Sequence, residues 1–164
     1  MKALERVSAA LAQAAGTLAK LLLSFVVCIL FLQVVLRFGF NAALPWPEEA
    51  SRYAMIWVVM LIGSVLVRDE QLITVDFFDR FWPRRVIAAR NVLYRVLLFV
   101  VLAVLMVEGW KQAATAWPRT TAATQISWFW PYLAVPLGAG LMLFQMAFLV
   151  VRDVSRVLAK GAAR

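Results

Sequence analysis

Residues 128–151 carry no charged side chain, and this run constrains the fold more than any other feature of the chain. A helix rises about 1.5 Å per residue and the hydrocarbon core of a bilayer is about 30 Å thick, so roughly 20 apolar residues cross it. Backbone amides in hydrocarbon must be satisfied internally, which favours a helix. Three further runs have the same character. Residues 17–38 form a first span around the uncharged stretch 21–36. Residues 47–67 form a second, with Glu48, Glu49 and Arg52 near its start. Residues 92–114 form a third around the uncharged centre 96–107; Arg90 and Arg95 snorkel at one end, and Glu108 and Lys111 at the other lie one turn apart and can pair.

Composition supports the bilayer as solvent. Hydrophobic residues make up 64% of the 164 positions, against about half in a soluble domain. A chain this short cannot bury so much apolar surface in a water-exposed globule, and disorder is excluded by the same numbers. The expected fold is an all-α integral membrane protein with one transmembrane domain over residues 1–164. The net charge of +8 sits in basic residues that punctuate the apolar runs, so it marks membrane topology and not nucleic-acid binding. Cys28 is the one cysteine and reads as a small buried hydrophobe. The absence of histidine removes His-ligated haem, His-containing zinc sites and Ser-His or Cys-His catalysis. No catalytic residue, metal site or cofactor is expected.

The ends and connections refine the picture. Residues 3–19 are weakly amphipathic and extend the first helix along or below the membrane surface. Arg37 and Phe38 follow the first apolar run, which is not a small-residue cleavage site, so an uncleaved span is expected. Pro47 fits a helix start, Glu48 and Glu49 suit the positive end of the helix dipole, and Arg52 shares their face at i+4 and i+3. Gly63 and Ser64 offer a small patch for close helix approach. In the fourth span Pro131 fits the first turn, while Pro136 should kink the helix; with Gly138 and Gly140 it shapes a fixed packing surface in preference to a gating hinge. Residues 74–82 read as a short amphipathic interfacial helix with Asp76, Asp79 and Arg80 on one face, too short and charged to span. Asp76 reads as a cap or as a local partner of Arg80.

Basic residues cluster before the first span, between the second and third, and after the fourth, which places both termini and the middle loop in the cytoplasm. Trp46, Trp110, Trp117, Trp128 and Trp130 then line the opposite boundary as an aromatic belt, and Trp57 lies deeper. Adjacent side chains on a helix do not face each other, so Glu48 and Glu49 are not a carboxylate pair for catalysis. They read as a helix start with an arginine partner, or as a partner-facing ion pair. Glu108 reads as an interfacial acid paired with Lys111. No span carries a central carboxylate of the kind a proton-coupled exporter needs. An accessory membrane subunit is therefore expected; the alternative is a stand-alone small multi-span transporter or exporter.

The ordered set Arg37, Asn41, Leu44, Trp46, Glu48, Glu49, Arg52, Trp57 and Gly63 resembles the signature of the small, DctQ-like permease subunit of tripartite ATP-independent periplasmic (TRAP) transporters. Arg68 followed by Leu72, Ile73, Thr74, Val75 and Asp76 is similar to the family's next stretch, with Leu72 where the family usually has histidine. Ile126, Trp128, Tyr132, Pro136 and Gly138 are similar to its last span. The resemblance covers roughly residues 22–150. It implies a four-helix scaffold in the bacterial inner membrane that binds a separate large permease subunit, with which membrane lipids and a periplasmic substrate-binding protein complete the set of partners. It also implies that sodium ions and substrate bind in the large subunit, and that the substrate is a carboxylate such as a C4-dicarboxylate, keto acid or sialic acid. Because little sequence follows the fourth span, the large subunit is expected on a separate chain. The signature residues, with Asp76, are candidates for structure or for the partner interface. Whether Glu49 and Arg52 pair within the chain or with the partner is left open by the sequence.

Overall fold

A computed structural model describes residues 2–42, 44–69 and 84–161. Four helices follow one another: α1 Lys2–Gly39, α2 Trp46–Arg68, α3 Arg84–Thr115 and α4 Phe129–Gly161. Each contains a segment long and apolar enough to cross a membrane. The expected interfacial helix at residues 74–82, and Asp76 with it, lies outside the described residues.

The helices run further than the apolar spans they contain. The weakly amphipathic start is one continuous helix with the first span, and the 38 residues of α1 reach roughly 57 Å at 1.5 Å per residue. The third helix starts at Arg84 and the fourth continues to Gly161, each about two to three turns beyond the expected limits. Helical hydrogen bonds are satisfied within the segment, so a helix has no reason to stop where the hydrocarbon does.

A seam holds α1 to its neighbours. Ser8, Ala12, Ala15, Ala19, Val26 and Ile29 are buried, and Leu22, Gln33 and Leu36 are half-buried. These positions alternate steps of four and three, the seven-residue period that keeps one stripe of a helix against a partner. The small residues near its start let α2 come close. Ala15, Ala19 and Leu61 form one cluster, against which Leu22, Trp57, Val65 and Leu141 pack. Trp57 thus lies deep, as its position predicts. Off the seam the helix is bare: Phe25, Val27, Phe31, Val34 and Phe38 are exposed. Cys28 is exposed as well, which corrects the expectation of a buried thiol. It lies two residues past Val26 and one before Ile29, off the buried stripe.

A second core joins α2, α3 and α4. Val67, Leu102, Ala139, Met142 and Met146 are its buried members. Glycines set the helix separations. A Cβ on Gly138 would lie 2.5 Å from Met60 Cβ and 3.2 Å from Met60 Cα. A Cβ on Gly63 would meet the flexible tip of Met142. A Cβ on Gly109 would lie 3.1 Å from Pro136 Cδ, so α3 approaches α4 closely where Pro136 sits inside that helix. The expected packing surface around Gly63, Pro136 and Gly138 is present. Gly140 faces α3 with ordinary room, its Cβ position 3.8 Å from Met106 Sδ. Among the described residues α1 packs on α2, α2 on α4 and α4 on α3, with a small further contact between α1 and α4. The helices therefore stand in a row, with α2 and α4 in the middle.

Candidate functional site

Seven of the signature residues, Arg37, Asn41, Leu44, Trp46, Glu48, Glu49 and Arg52, collect at the end of the row where α2 begins, while Trp57 and Gly63 lie further along α2 among the packed helices. Asn41 follows the end of α1 with φ of 52°, a left-handed conformation that asparagine tolerates better than most residues. There the Ala42 amide donates to the Leu36 carbonyl at 3.1 Å, closing the helix end. Arg37 lies over the ring of its neighbour Phe38 at 5.7 Å, on the exposed side. The chain then enters α2 through Pro45, with Pro47 buried in its first turn.

The two adjacent acids part company, as their spacing on a helix requires. Glu48 points outward and meets Arg52 at 3.4 Å, with both side chains about two-thirds exposed. Glu49 turns inward. Its Oε1 accepts the Tyr53 hydroxyl at 2.7 Å, and its Oε2 accepts the Ala123 and Thr124 amides at 2.8 and 3.2 Å. The carboxylate therefore ties α2 to the loop between α3 and α4. With three donors on its two oxygens it is a clamp and is poorly placed to act as a base. Arg52 is not its partner: both residues bond within the chain, but to different groups. Helix spacing alone left this unresolved, although the i+4 relation of Glu49 and Tyr53 was visible in the sequence.

The loop that Glu49 holds is itself well ordered by hydrogen bonds. Thr120 and Ser127 form an isolated antiparallel bridge. The Thr121 amide donates to the Ile126 carbonyl at 2.9 Å, and the Trp128 amide to the Arg119 carbonyl at 2.9 Å. Buried Thr121 also accepts the Ile126 amide through its hydroxyl at 3.1 Å. Gln125 completes the turn with φ of 56°. Ser127 caps the next helix: its Oγ accepts the Phe129 amide at 3.2 Å and donates to the Trp117 carbonyl at 2.8 Å. Aromatic rings cover the assembly. Tyr53 meets Trp128 edge-on at 5.5 Å between centroids, and Trp128 stacks on Tyr132 at 5.7 Å. Trp46, Trp110, Trp117 and Trp130 stay exposed around the same end, as a belt would. A shallow cleft of about 260 Å³ lies between Glu48, Arg52, Tyr53, Ala122 and Trp128.

Two other polar groupings complete the inventory. Glu108 and Lys111 pair at 2.7 Å while staying well exposed, the predicted surface pair. At the far end, Ser8 on α1 donates to Gln145 Oε1 on α4 at 2.5 Å, and Gln145 Nε2 donates back to the Ser8 carbonyl at 3.1 Å. Both residues are almost fully buried. Nothing in the sequence reading paired them; the period of the α1 seam, which begins at Ser8, was the available signal.

Comparison with known proteins agrees with this geometry. The family "Tripartite ATP-independent periplasmic transporters, DctQ component" matches residues 26–156. The chain belongs to this DctQ family. Its members are transporter components and not enzymes, and the four apolar helices fit a multi-pass membrane protein. Similar curated proteins include the sialic acid TRAP transporter permease SiaT of Haemophilus influenzae, 30% identical over 117 residues, which are 71% of this chain and 19% of the relative. The isethionate TRAP transporter permease DctMQ of Oleidesulfovibrio alaskensis is 29% identical over 118 residues, 68% of this chain and 18% of the relative. A TRAP transporter small permease protein of H. influenzae is 45% identical over 49 residues, 30% of each chain. The chain thus spans about a fifth of the length of the first two relatives.

Proposed function

We propose that this DctQ chain is the small, fixed scaffold of a sodium-coupled, binding-protein-dependent importer of carboxylates or closely related organic anions. The observation that carries the reading is the character of the buried polar groups. Among the described residues these are Ser8, Ser51, Ser64, Thr121 and Gln145, all uncharged. A transport path normally shows as ionisable side chains inside the spans or as broken helices. Here the acids and basic residues of known exposure sit at helix ends or on surfaces, so cargo and sodium are assigned to a large permease subunit. The broad apolar faces of α1 and α3 suit a body that lies against lipid and a second membrane protein. Sialic acid and isethionate in the relatives' names support an organic anion as cargo, delivered by a periplasmic binding protein. The basic clusters assign both termini to the cytoplasm of a bacterial inner membrane, and the Glu49 clamp to the periplasmic face.

Co-expression with a cognate large permease subunit tests the reading. A complex should survive mild detergent extraction, and uptake by the cells should require this chain. Separate purification of the two, together with uptake that persists without this chain, sinks it. Arg52→Ala sharpens the test. An exposed pair such as Glu48–Arg52 is worth about 0.3–0.5 kcal/mol, so the isolated chain keeps its stability while the yield of complex falls. Unchanged yield with a raised half-saturation constant for substrate counts against a scaffold.

A further inference from the structure

We propose that the groove between the start of α3 and the end of α4 is a binding site for an anionic diacyl phospholipid. An acyl chain lies along the groove and the phosphate sits at Arg95 and Arg152. The groove has a volume of about 420 Å³, and its walls are Val96 and Phe99 on α3 and Met146, Ala147, Val150 and Val151 on α4, with Arg95 at one end. Such a lining accepts hydrocarbon and offers nothing to a polar ligand along its length. Phe99, Val150 and Val151 are about half exposed, so the groove opens sideways, toward the acyl chains of a surrounding bilayer.

The charged end decides the headgroup. Arg152 follows Val151 directly and, like Arg95, is half-buried. The uncharged runs of the two helices end here, at Arg95 on α3 and at Arg152 on α4, where a lipid's glycerol and phosphate would lie beside an aligned acyl chain. Arg90, Arg95 and Arg152 are half-buried cations at this end of α3 and α4. Both Arg95 and Arg152 are engaged in interactions within the chain. Each guanidinium has five N–H donors in a fixed fork, and a phosphate is the group that this fork matches in pairs. Basic pockets between transmembrane helices select anionic headgroups in this way. The site does not depend on the scaffold reading.

Native mass spectrometry of the full chain in mild detergent tests it, with dioleoyl phosphatidylglycerol and dioleoyl phosphatidylcholine as probes. Phosphatidylglycerol should be retained roughly thirtyfold more strongly, given two basic residues near the phosphate. Arg95→Gln should lower that preference roughly fivefold. Ala147→Phe, at an exposed position on the groove wall, should weaken both lipids alike. Helical content by circular dichroism identifies variants that stay folded, and either variant alone suffices. Equal retention of the two lipids by the unaltered chain overturns the proposal, as does an undiminished preference in folded Arg95→Gln. Retention that vanishes when a large permease subunit co-purifies also overturns it, because a protein helix would then be the occupant.

Discussion

The two ends of the helix row are held by different chemistry. At one end a carboxylate, Glu49, accepts two loop amides and a phenol. At the other a neutral pair, Ser8 and Gln145, exchanges two hydrogen bonds between α1 and α4. The difference follows from which donors each place can offer. Inside a helix–helix contact every backbone N–H is already used by its own helix, so the bridging donors must be side chains, with a side chain or the spare lone pair of a carbonyl as acceptor. A charge buried there would have no adequate partners. Where the chain leaves its helices, amides such as those of Ala123 and Thr124 are available, and an anion can be satisfied by them. Position in the fold thus decides whether an acid or an amide makes the tie.

Removing the acid should have the largest effect. Glu49→Ala leaves the Ala123 and Thr124 amides and the Tyr53 hydroxyl without their acceptor. Hydrogen exchange at those two amides should rise roughly tenfold or more, as expected for losing charge-assisted bonds. Glu49→Gln should fall between, since the amide keeps one acceptor and turns a donor toward other donors. Exchange no faster than in the unaltered chain would show that the loop holds itself.

Gly138 lies between the two ends and measures packing without polarity. A methyl there meets the Met60 backbone, so Gly138→Ala should cost about 1–3 kcal/mol of overpacking, read as a lower melting temperature in detergent. Gly63→Ala meets only the movable end of Met142 and should cost less. Equal losses would mean that the α2–α4 spacing is not fixed where these contacts put it.

The neutral pair should respond asymmetrically. Ser8→Ala strands the buried Gln145 carbonyl and should cost about 1–2 kcal/mol. The double change Ser8→Ala with Gln145→Leu removes both side-chain partners and should recover part of that loss. A double variant less stable than Ser8→Ala alone would show that the amide has worth beyond its serine. The smallest effect belongs to Glu48→Ala, whose exposed partner Arg52 should make it worth about 0.3–0.5 kcal/mol in the same melting assay.

The spans were legible because the bilayer requires long uncharged runs, and residues 21–36 and 128–151 could hardly be anything else. The extension of α1 was legible in the weak amphipathicity of residues 3–19, but the lengths of α3 and α4 were not, because hydropathy reports where hydrocarbon ends and helical hydrogen bonding continues past that point. Glu108 and Lys111 were legible because their contact is local. The partners of Glu49 on the loop were not: Ala123 and Thr124 lie 74 and 75 positions away, and no periodicity relates a helix start to a loop on another hairpin. Ser8 and Gln145, 137 positions apart, were hidden for the same reason. Cys28 misled because its neighbours are apolar throughout, and an apolar residue facing lipid reads like one facing a core.

The single-file order of the helices carries a last consequence. Among the described residues the palisade is one helix thick and encloses no lumen. A solute could not pass through such a wall from within it; it could pass only along one of its two broad sides, against whatever stands beside it.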